Sequence, residues 1–90
     1  MYIKSFEWDD ANIEHIARHN VTPEEAEEIF ADALFRKGRD KRLLVYGVTE
    51  AGRFLLAVAK LRVNGVVRVI TARDMSRKEK RYYLKERGMW

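Results

Sequence analysis

The N-terminal residues combine a short apolar–polar alternation with a helical pattern. Residues 1–5 alternate in this way, which is typical of an edge strand. Asp9 or Asp10 then provides a side chain that can cap a helix. The apolar positions of this helix recur at helical spacing and are Ala11, Ile13, Ile16 and Ala17. The segment is short, so we expect this first helix to depend on packing for its stability.

A second helix has a stronger start signal. Thr22 takes the N-cap position, Pro23 the first helical position, and Glu25 completes a capping box. The apolar stripe that follows consists of Ala26, Ile29, Phe30 and Ala33. Because the stripe keeps its helical spacing, we expect the helix to end near residues 33–34.

The middle of the chain predicts an antiparallel sheet. Residues 34–42 are polar and basic, and they predict a loop or a short irregular strand. Three strands are then expected at residues 43–48, 53–63 and 66–73. The second of them is apolar on both faces, as a central strand is. Asn64 and Gly65 favour a tight hairpin turn before the third.

The last helix is expected to begin at Ser76, which forms a capping-box pair with Glu79. The predicted fold is therefore α+β, with two N-terminal helices, an antiparallel β-meander of three to four strands and a C-terminal helix. One face of the sheet should pack on helices, and the other should stay open as a binding surface. Trp90 is expected either to pack back on the domain or to contact a partner.

Composition limits the classes of protein that the chain can form. Its 90 residues are expected to make a single domain over residues 1–90. The chain has no cysteine, which excludes disulfides and thiolate zinc sites. Neither a signal-peptide core nor an apolar run long enough to cross a bilayer occurs in the sequence. We therefore expect a cytoplasmic protein with no membrane association.

The net charge of +4 conceals a strong asymmetry along the chain. Residues 1–34 hold nine acidic and two basic side chains, whereas residues 60–90 hold three acidic and ten basic ones. A basic surface of this kind attracts polyanions, and nucleic acid is the usual one. The alternative is that the acidic and basic parts pair with each other.

Several cations and tyrosines in the second half suit a nucleic-acid ligand. Arg73 ends a strand just before the last helix, where its guanidinium group can bind phosphate or pair with an N-terminal acid. Cations in the first turn of that helix oppose the helix dipole, which favours a ligand role. The predicted binding residues are Arg53, Lys60, Lys78, Arg81 and Tyr82.

Two stretches of the sequence combine residues in a recognisable pattern. The opening stretch includes Phe6-Glu7-Trp8-Asp9, Asn12, Arg18-His19-Asn20-Val21, Glu24-Glu25-Ala26 and Phe30. The closing stretch includes Thr71-Ala72-Arg73, Arg77, Glu79 and Tyr83. Together these stretches resemble the BrnT toxin family. Asn20 stands where many members have glycine, and asparagine also tolerates the left-handed conformation.

The resemblance implies a toxin of a bacterial type II toxin–antitoxin pair with a RelE-like fold. Such a toxin cleaves RNA without a metal or other cofactor and blocks translation. A BrnA-like antitoxin covers it in a hetero-oligomer and alone contacts DNA. The alternative is a non-catalytic module that binds nucleic acid or a partner through the same basic surface.

Metal-independent cleavage of RNA needs a proton acceptor for the 2′-OH and cations for the phosphorane. The predicted catalytic residues are His19, Arg73, Arg77 and Tyr83. Histidine is the side chain most often used for proton transfer near neutral pH, which makes His19 a candidate, but it can equally close the first helix. Tyr83 can stack on a base, donate a proton or pack in the core, and Glu79 can act as a cap or a base. His15 and His19 have a metal-ligand spacing, but the sequence offers no third ligand.

Overall fold

The computed structural model describes residues 2–89, so the expectations for Met1 and Trp90 lie outside it. The elements in chain order are β1 (Ser5–Glu7), α1 (Asp10–Ala17), α2 (Pro23–Glu28), β2 (Leu34–Lys37), β3 (Arg42–Val48), β4 (Phe54–Leu61), β5 (Val66–Asp74) and α3 (Arg77–Glu86). A short 3₁₀ turn, Val63–Gly65, links β4 to β5. None of the helices formed by residues 2–89 combines the length and apolarity needed to cross a membrane.

The predicted meander is present, and it lies within a larger sheet. The strand order is β1-β5-β4-β3-β2, and the four strands from β2 to β5 are antiparallel neighbours. β1 adds a fifth strand, parallel to β5, with Phe6 opposite Val67. The expected edge strand at residues 1–5 therefore begins later, at Ser5. Its position is set by Phe6, whose ring packs edge-on against Phe30 with centroids 5.1 Å apart.

The core lies between the sheet and the first two helices. Ile16 of α1, Ala26 of α2 and Ile29 pack against alternate residues of the central strands, among them Val45 and Leu55. We call this side of the sheet the core face. Trp8 packs at its edge and donates a hydrogen bond from its indole nitrogen to Glu27 at 2.7 Å.

Buried Asn12 joins α1 to the sheet. It is 3% exposed, and its amide group donates to the carbonyls of Glu7 at 2.9 Å and Val69 at 2.8 Å. Its side-chain oxygen accepts from the backbone N–H of Asp9 at 2.8 Å, which completes a capping box at the start of α1. One side chain thus holds the helix start against both β1 and β5.

The opposite side of the sheet, which we call the α3 face, is only partly open. Tyr46 and Leu56 are buried there with Tyr83 of α3, and Leu34, Phe54 and other apolar side chains surround them. The open binding surface that the sequence favoured is therefore limited to part of this face, because α3 covers the apolar side chains at one end of the sheet. The uncovered end of the face carries polar and charged residues.

Both predicted capping boxes form, and Asp9 caps α1 in a third one with Asn12, but α2 is shorter than expected. The expected end near residues 33–34 is wrong, since α2 ends at Glu28 and its apolar stripe continues through turns. Phe30 and Ala31 there donate to the carbonyls of Glu27 and Glu28, three residues back. Such bonds tighten a helix end. Asn20 adopts a φ of 58°, so the left-handed turn after α1 forms without glycine.

Candidate functional site

One cross-strand row on the α3 face joins a buried tyrosine to an accessible arginine. Tyr46 of β3, Leu56 of β4 and Arg73 of β5 are directly paired neighbours, so their side chains leave the same face. Tyr46 and Leu56 lie under α3, whereas 42% of the Arg73 side chain is exposed. The row therefore places a guanidinium group at the border between the covered and the open sheet.

Arg73 is oriented by Glu79 of α3. Its Nη1 and Nη2 donate to the two carboxylate oxygens at 2.7 and 2.8 Å, and Nη1 also donates to the Asp74 carbonyl at 3.0 Å. Chiefly because of Arg73, the pKa of Glu79 falls to about 2; the Ser76 backbone N–H adds to this effect and burial opposes it. Glu79 is therefore ionised at neutral pH and fixes the plane of the guanidinium group.

The contacts of Arg73 leave two of its N–H donors pointing away from Glu79. Of the five donors on a guanidinium group, the carboxylate and the Asp74 carbonyl take three. The other two, on Nε and on Nη2, are parallel and form a fork that matches two phosphate oxygens. Among residues 2–89 neither donor has an acceptor. This open fork is the feature of the face best suited to an anion.

The start of α3 supports this arrangement. Ser76 and Glu79 exchange hydrogen bonds as a capping box, so the same carboxylate caps the helix and holds Arg73. Arg77 and Lys78 in the first turn are exposed, and neither forms an ion pair within residues 2–89. Each opposes the helix dipole at a cost of about 0.3–1 kcal/mol. That cost favours a role in binding an anion.

A recess of about 340 Å³ opens beside the Arg73–Glu79 pair. Its lining residues are Arg36, Tyr46, Lys78, Glu79 and Tyr82. The rings of Tyr46 and Tyr82 lie 5.2 Å apart, and the Arg36 guanidinium carbon lies 5.2 Å from the centre of the Tyr82 ring. Aromatic and guanidinium planes of this kind provide surfaces on which nucleobases stack.

The two adjacent tyrosines of α3 have different environments. Tyr83 is 4% exposed and packs edge-on against Phe54 with ring centroids 5.9 Å apart. This placement favours the packing alternative for Tyr83 over base stacking or proton transfer. Tyr82 is half-buried and lines the recess. Tyr82, which was predicted to bind RNA, is therefore better placed to contact RNA than Tyr83, which was predicted to be catalytic.

Arg53 is fully engaged in holding the fold together. Its Nε and Nη2 donate to the two carboxylate oxygens of Asp74 at 2.8 and 3.2 Å, and Nη1 donates to Glu25 at 3.2 Å. The same guanidinium group reaches the carbonyls of His19 and Asn20. Its pKa is raised, chiefly by Asp74. Because all five donors have acceptors within the chain, the structure favours a structural role for Arg53 over the predicted RNA contact.

Among residues 2–89, His19 makes no hydrogen bond or ion pair with Arg73. Its carbonyl is held by Arg53 at 3.1 Å, in the loop between α1 and α2 on the core-face side of the sheet. It lies near Asp74, whose pKa is lowered by Arg53 and, less strongly, by His19. The ring of His15 is 6.1 Å away. Of the four predicted catalytic residues, Arg73, Arg77 and Tyr83 therefore lie on β5 or α3, whereas His19 lies in the loop between α1 and α2.

The two remaining predicted RNA-binding residues are accessible. Lys60 and Arg81 are exposed, on β4 and α3 respectively. By strand alternation Lys60 lies on the α3 face, because its neighbour Ala59 is buried in the core. Neither residue forms an ion pair within the described chain.

The charge asymmetry is only partly neutralised inside the molecule. Ion pairs join Glu7 and Asp9 to Arg68, Glu25 to Arg53, and Asp32 to Arg87. The alternative that acidic and basic parts pair with each other is thus correct for these residues. Lys60 on the α3 face and Arg77 and Lys78 at the start of α3 form no ion pair within residues 2–89, so a basic surface remains available.

Two residues of the recess, Arg36 and Tyr46, were missed by the sequence analysis. The predicted strand at residues 43–48 already contained the signal for Tyr46, since it alternates with Leu44 and Val48 on one face. Arg36 lay in a segment interpreted as a loop or an irregular strand. Only its pairing with β3 aligns it with the recess.

The fold and the site together define a small α+β domain whose open basic face carries an arginine fork beside tyrosines. A family profile described as "Ribonuclease toxin, BrnT, of type II toxin-antitoxin system" matches residues 8–79. The chain therefore belongs to the BrnT family of ribonuclease toxins. Membership implies an RNA substrate and a cognate antitoxin. A comparison with curated proteins finds no match.

Proposed function

We propose that this protein is a metal-independent endoribonuclease that cleaves RNA on its α3 face and thereby inhibits translation. The observation that supports this most strongly is the open fork of Arg73, held in place by Glu79 at 2.7 and 2.8 Å. A rigid, partly exposed guanidinium group of this kind suits the phosphate at which a strand is cut. The adjacent tyrosine recess provides a surface for a flanking base.

The proposed reaction is attack by the ribose 2′-oxygen on the adjacent phosphorus. The new P–O2′ bond forms as the P–O5′ bond breaks, which leaves a 2′,3′-cyclic phosphate and a 5′-hydroxyl group. The 2′-OH proton passes to a base, and the departing 5′-oxygen receives a proton. Negative charge grows on the phosphate oxygens during attack, so two parallel N–H donors aimed at them stabilise the transition state more than the substrate.

The residues of the α3 face divide this work. Arg73 binds the phosphate undergoing attack, and Arg77 and Lys78 supply further positive charge from the first turn of α3. Tyr82 and Arg36 hold a base. Glu79 orients Arg73 and is a poor proton acceptor at neutral pH, because its pKa is about 2. His19 stays a proposed proton acceptor, and replacing it with glutamine tests that role.

We propose that the cognate antitoxin forms a hetero-oligomer with the toxin and covers the α3 face. An antitoxin neutralises the toxin most simply if it blocks the phosphate fork and the recess together. DNA contacts in such a complex belong to the antitoxin. If the proposal is correct, pre-mixing with the antitoxin removes both RNA binding and cleavage.

A substitution series at Arg73 tests the proposal. Arg73→Ala should lower the cleavage rate at least 100-fold, in the range of losing a transition-state donor. Arg73→Lys keeps the charge but loses the fork, so its cleavage rate should be closer to that of Arg73→Ala than to that of the wild type. Arg39→Ala, which removes an exposed arginine from the turn between β2 and β3, serves as the control and should cleave normally.

Two results would contradict the proposal. Full activity of Arg73→Ala would remove the fork from the reaction. RNA that is bound tightly by the wild type and left intact, with and without ribosomes, would support the non-catalytic module. Melting temperatures of all variants separate these outcomes from a folding defect.

A further inference from the structure

The end of the α3 face that α3 leaves uncovered carries three cations side by side. Arg42 of β3 is directly opposite Lys60 of β4, and Lys60 is directly opposite Arg68 of β5. Their strand neighbours Leu43, Ala59 and Val67 point into the core, so the three cations share the α3 face. Directly opposed side chains in a sheet have Cβ atoms about 4.5–5.5 Å apart.

Within the part of the chain that the structure describes, residues 2–89, one of the three charges is neutralised and two are not. Arg68 binds Glu7 at 3.1 Å and Asp9 at 2.9 Å. Arg42 and Lys60 are exposed, and among residues 2–89 neither has a carboxylate within ion-pair distance. Like charges directly opposite each other destabilise a sheet. The Arg42–Lys60 pair therefore weakens the fold, which is expected of a surface whose counter-charge comes from a ligand.

This pair is continuous with the Arg73 site but too far away to share its phosphate. Leu56 lies in the same row as Arg73, and Lys60 follows it four residues later on β4. At about 3.4 Å per residue the two rows are roughly 13 Å apart. The row between them contains Val58 and Thr71, which are partly exposed. A single strand can therefore follow the sheet from the fork to the cation pair.

We propose that Arg42 and Lys60 bind a backbone phosphate of the RNA strand beyond the phosphate that is cleaved. This inference rests on the proposed function, because it takes RNA as the ligand at Arg73. The contact is electrostatic and reads no base, so it contributes to affinity equally for all sequences and weakens as salt rises. RNA is favoured over an acidic protein segment because the pair continues the same face as the phosphate fork and the base recess.

The double variant Arg42→Gln and Lys60→Gln tests the contact. Each phosphate that the protein neutralises adds about 0.7 to the slope of log affinity against log salt for a single strand. Because Arg42 and Lys60 share one phosphate, the double variant should bind single-stranded RNA with a slope smaller by about 0.7. In cleavage its KM should rise several-fold while kcat changes less than two-fold, since the reacting phosphate keeps its own contacts.

Lys37→Gln is the matched control. Lys37 lies on the neighbouring strand β2 and is exposed, but by alternation with Arg36 it points away from the α3 face. Removing its charge should leave the salt slope and KM unchanged. An equal change in this control would overturn the proposal, because a general effect of net charge would then explain the result.

A second readout separates binding from folding. Because the pair is repulsive, the double variant should melt about 1–4 °C higher than the wild type. Weaker RNA binding by a more stable protein supports a ligand-binding role. A lower melting temperature with weaker binding would overturn the proposal, since the pair would then be part of the fold.

Substrate length locates the contact along the strand. Shortening the RNA on the side of the cleaved bond that reaches the cation pair should remove the difference in KM between the double variant and the wild type. Shortening it on the other side should leave that difference in place.

An unchanged salt slope together with weaker antitoxin binding would overturn the proposal and assign the pair to the antitoxin. If the wild type binds RNA without cleaving it, the proposed function fails, and the salt slope still decides this inference.

Discussion

Replacing Arg53 tests whether this residue holds the fold rather than the RNA. Its guanidinium group makes a bidentate ion pair with Asp74, contacts Glu25, and binds two carbonyls of the loop after α1. Hydrogen bonds to charged groups contribute about 1.5–3 kcal/mol each when they are shielded from water. The Arg53 side chain is 25% exposed and Asp74 65%, so solvent screening reduces the sum.

We expect Arg53→Lys to lower the free energy of unfolding by about 2–3 kcal/mol, because one ammonium group cannot replace five directed donors. In a domain of this size that lowers the melting temperature by about 8–20 °C. Urea unfolding monitored by circular dichroism measures the loss. Arg62→Lys is the control, since Arg62 forms an exposed pair with Glu7 and should cost no more than about 0.5 kcal/mol.

The cleavage rate per folded molecule completes this test. At a temperature where the Arg53→Lys variant is folded, cleavage should stay within a few-fold of the wild type. A stable variant that binds RNA poorly would refute the reasoning and restore Arg53 to the RNA-binding surface.

Three further predictions concern the fold around the site. The Glu79 pKa of about 2 lies below its ordinary value of 4.5, so the Arg73 pair stabilises the fold above about pH 4.5 and loses that effect as the pH falls to about 2. Urea unfolding should show that the difference in free energy of unfolding between the wild type and Glu79→Gln shrinks by about 1–2 kcal/mol over this pH range. A difference that stays constant would show that the Arg73–Glu79 pair does not contribute to stability. Asn12→Ala should lower the free energy of unfolding by about 2–4 kcal/mol, because two carbonyls lose their buried donor; a loss below about 1 kcal/mol in urea unfolding would show that water replaces the amide. A Cβ atom on Gly47 would lie 2.6 Å from the Ile29 carbonyl oxygen, so Gly47→Ala should cost more, by thermal melting, than Gly38→Ala, where the nearest atoms lie at 3.5 Å and φ is not positive. The reverse order would contradict the close approach of Ile29, just after α2, to β3.

The parts of the fold that were predicted correctly are those set by near neighbours in the sequence. A capping box joins residues three positions apart, so the starts of α2 and α3 could be identified from Thr22 and Ser76 with their glutamates. The meander follows from successive apolar runs joined by short turns. In contrast, the end of α2 depends on packing of Ile29 against Gly47 of β3. Helical spacing alone carries no signal for that contact.

The contacts that organise the site are largely long-range, and this limits its prediction. Arg73 and Arg53 were both predicted to lie at strand ends and to contact RNA, Arg73 as a catalytic residue and Arg53 as a binding residue. They differ because Arg53 meets acceptors up to 34 residues away, while Arg73 meets a carboxylate six residues later and keeps two donors. The side of the sheet on which His19 lies is likewise fixed by tertiary contacts. Residue type therefore identified the candidates, and only the fold could sort them.

The central claim is that the α3 face cleaves RNA without a metal through Arg73. Its most direct test is to incubate single-stranded RNA with the purified protein in EDTA and to identify the ends of the products, beside the Arg73→Ala variant. The wild type should produce fragments with 2′,3′-cyclic phosphate and 5′-hydroxyl ends, and the variant should leave the RNA intact. Cleavage that EDTA abolishes, or that Arg73→Ala retains in full, would contradict it.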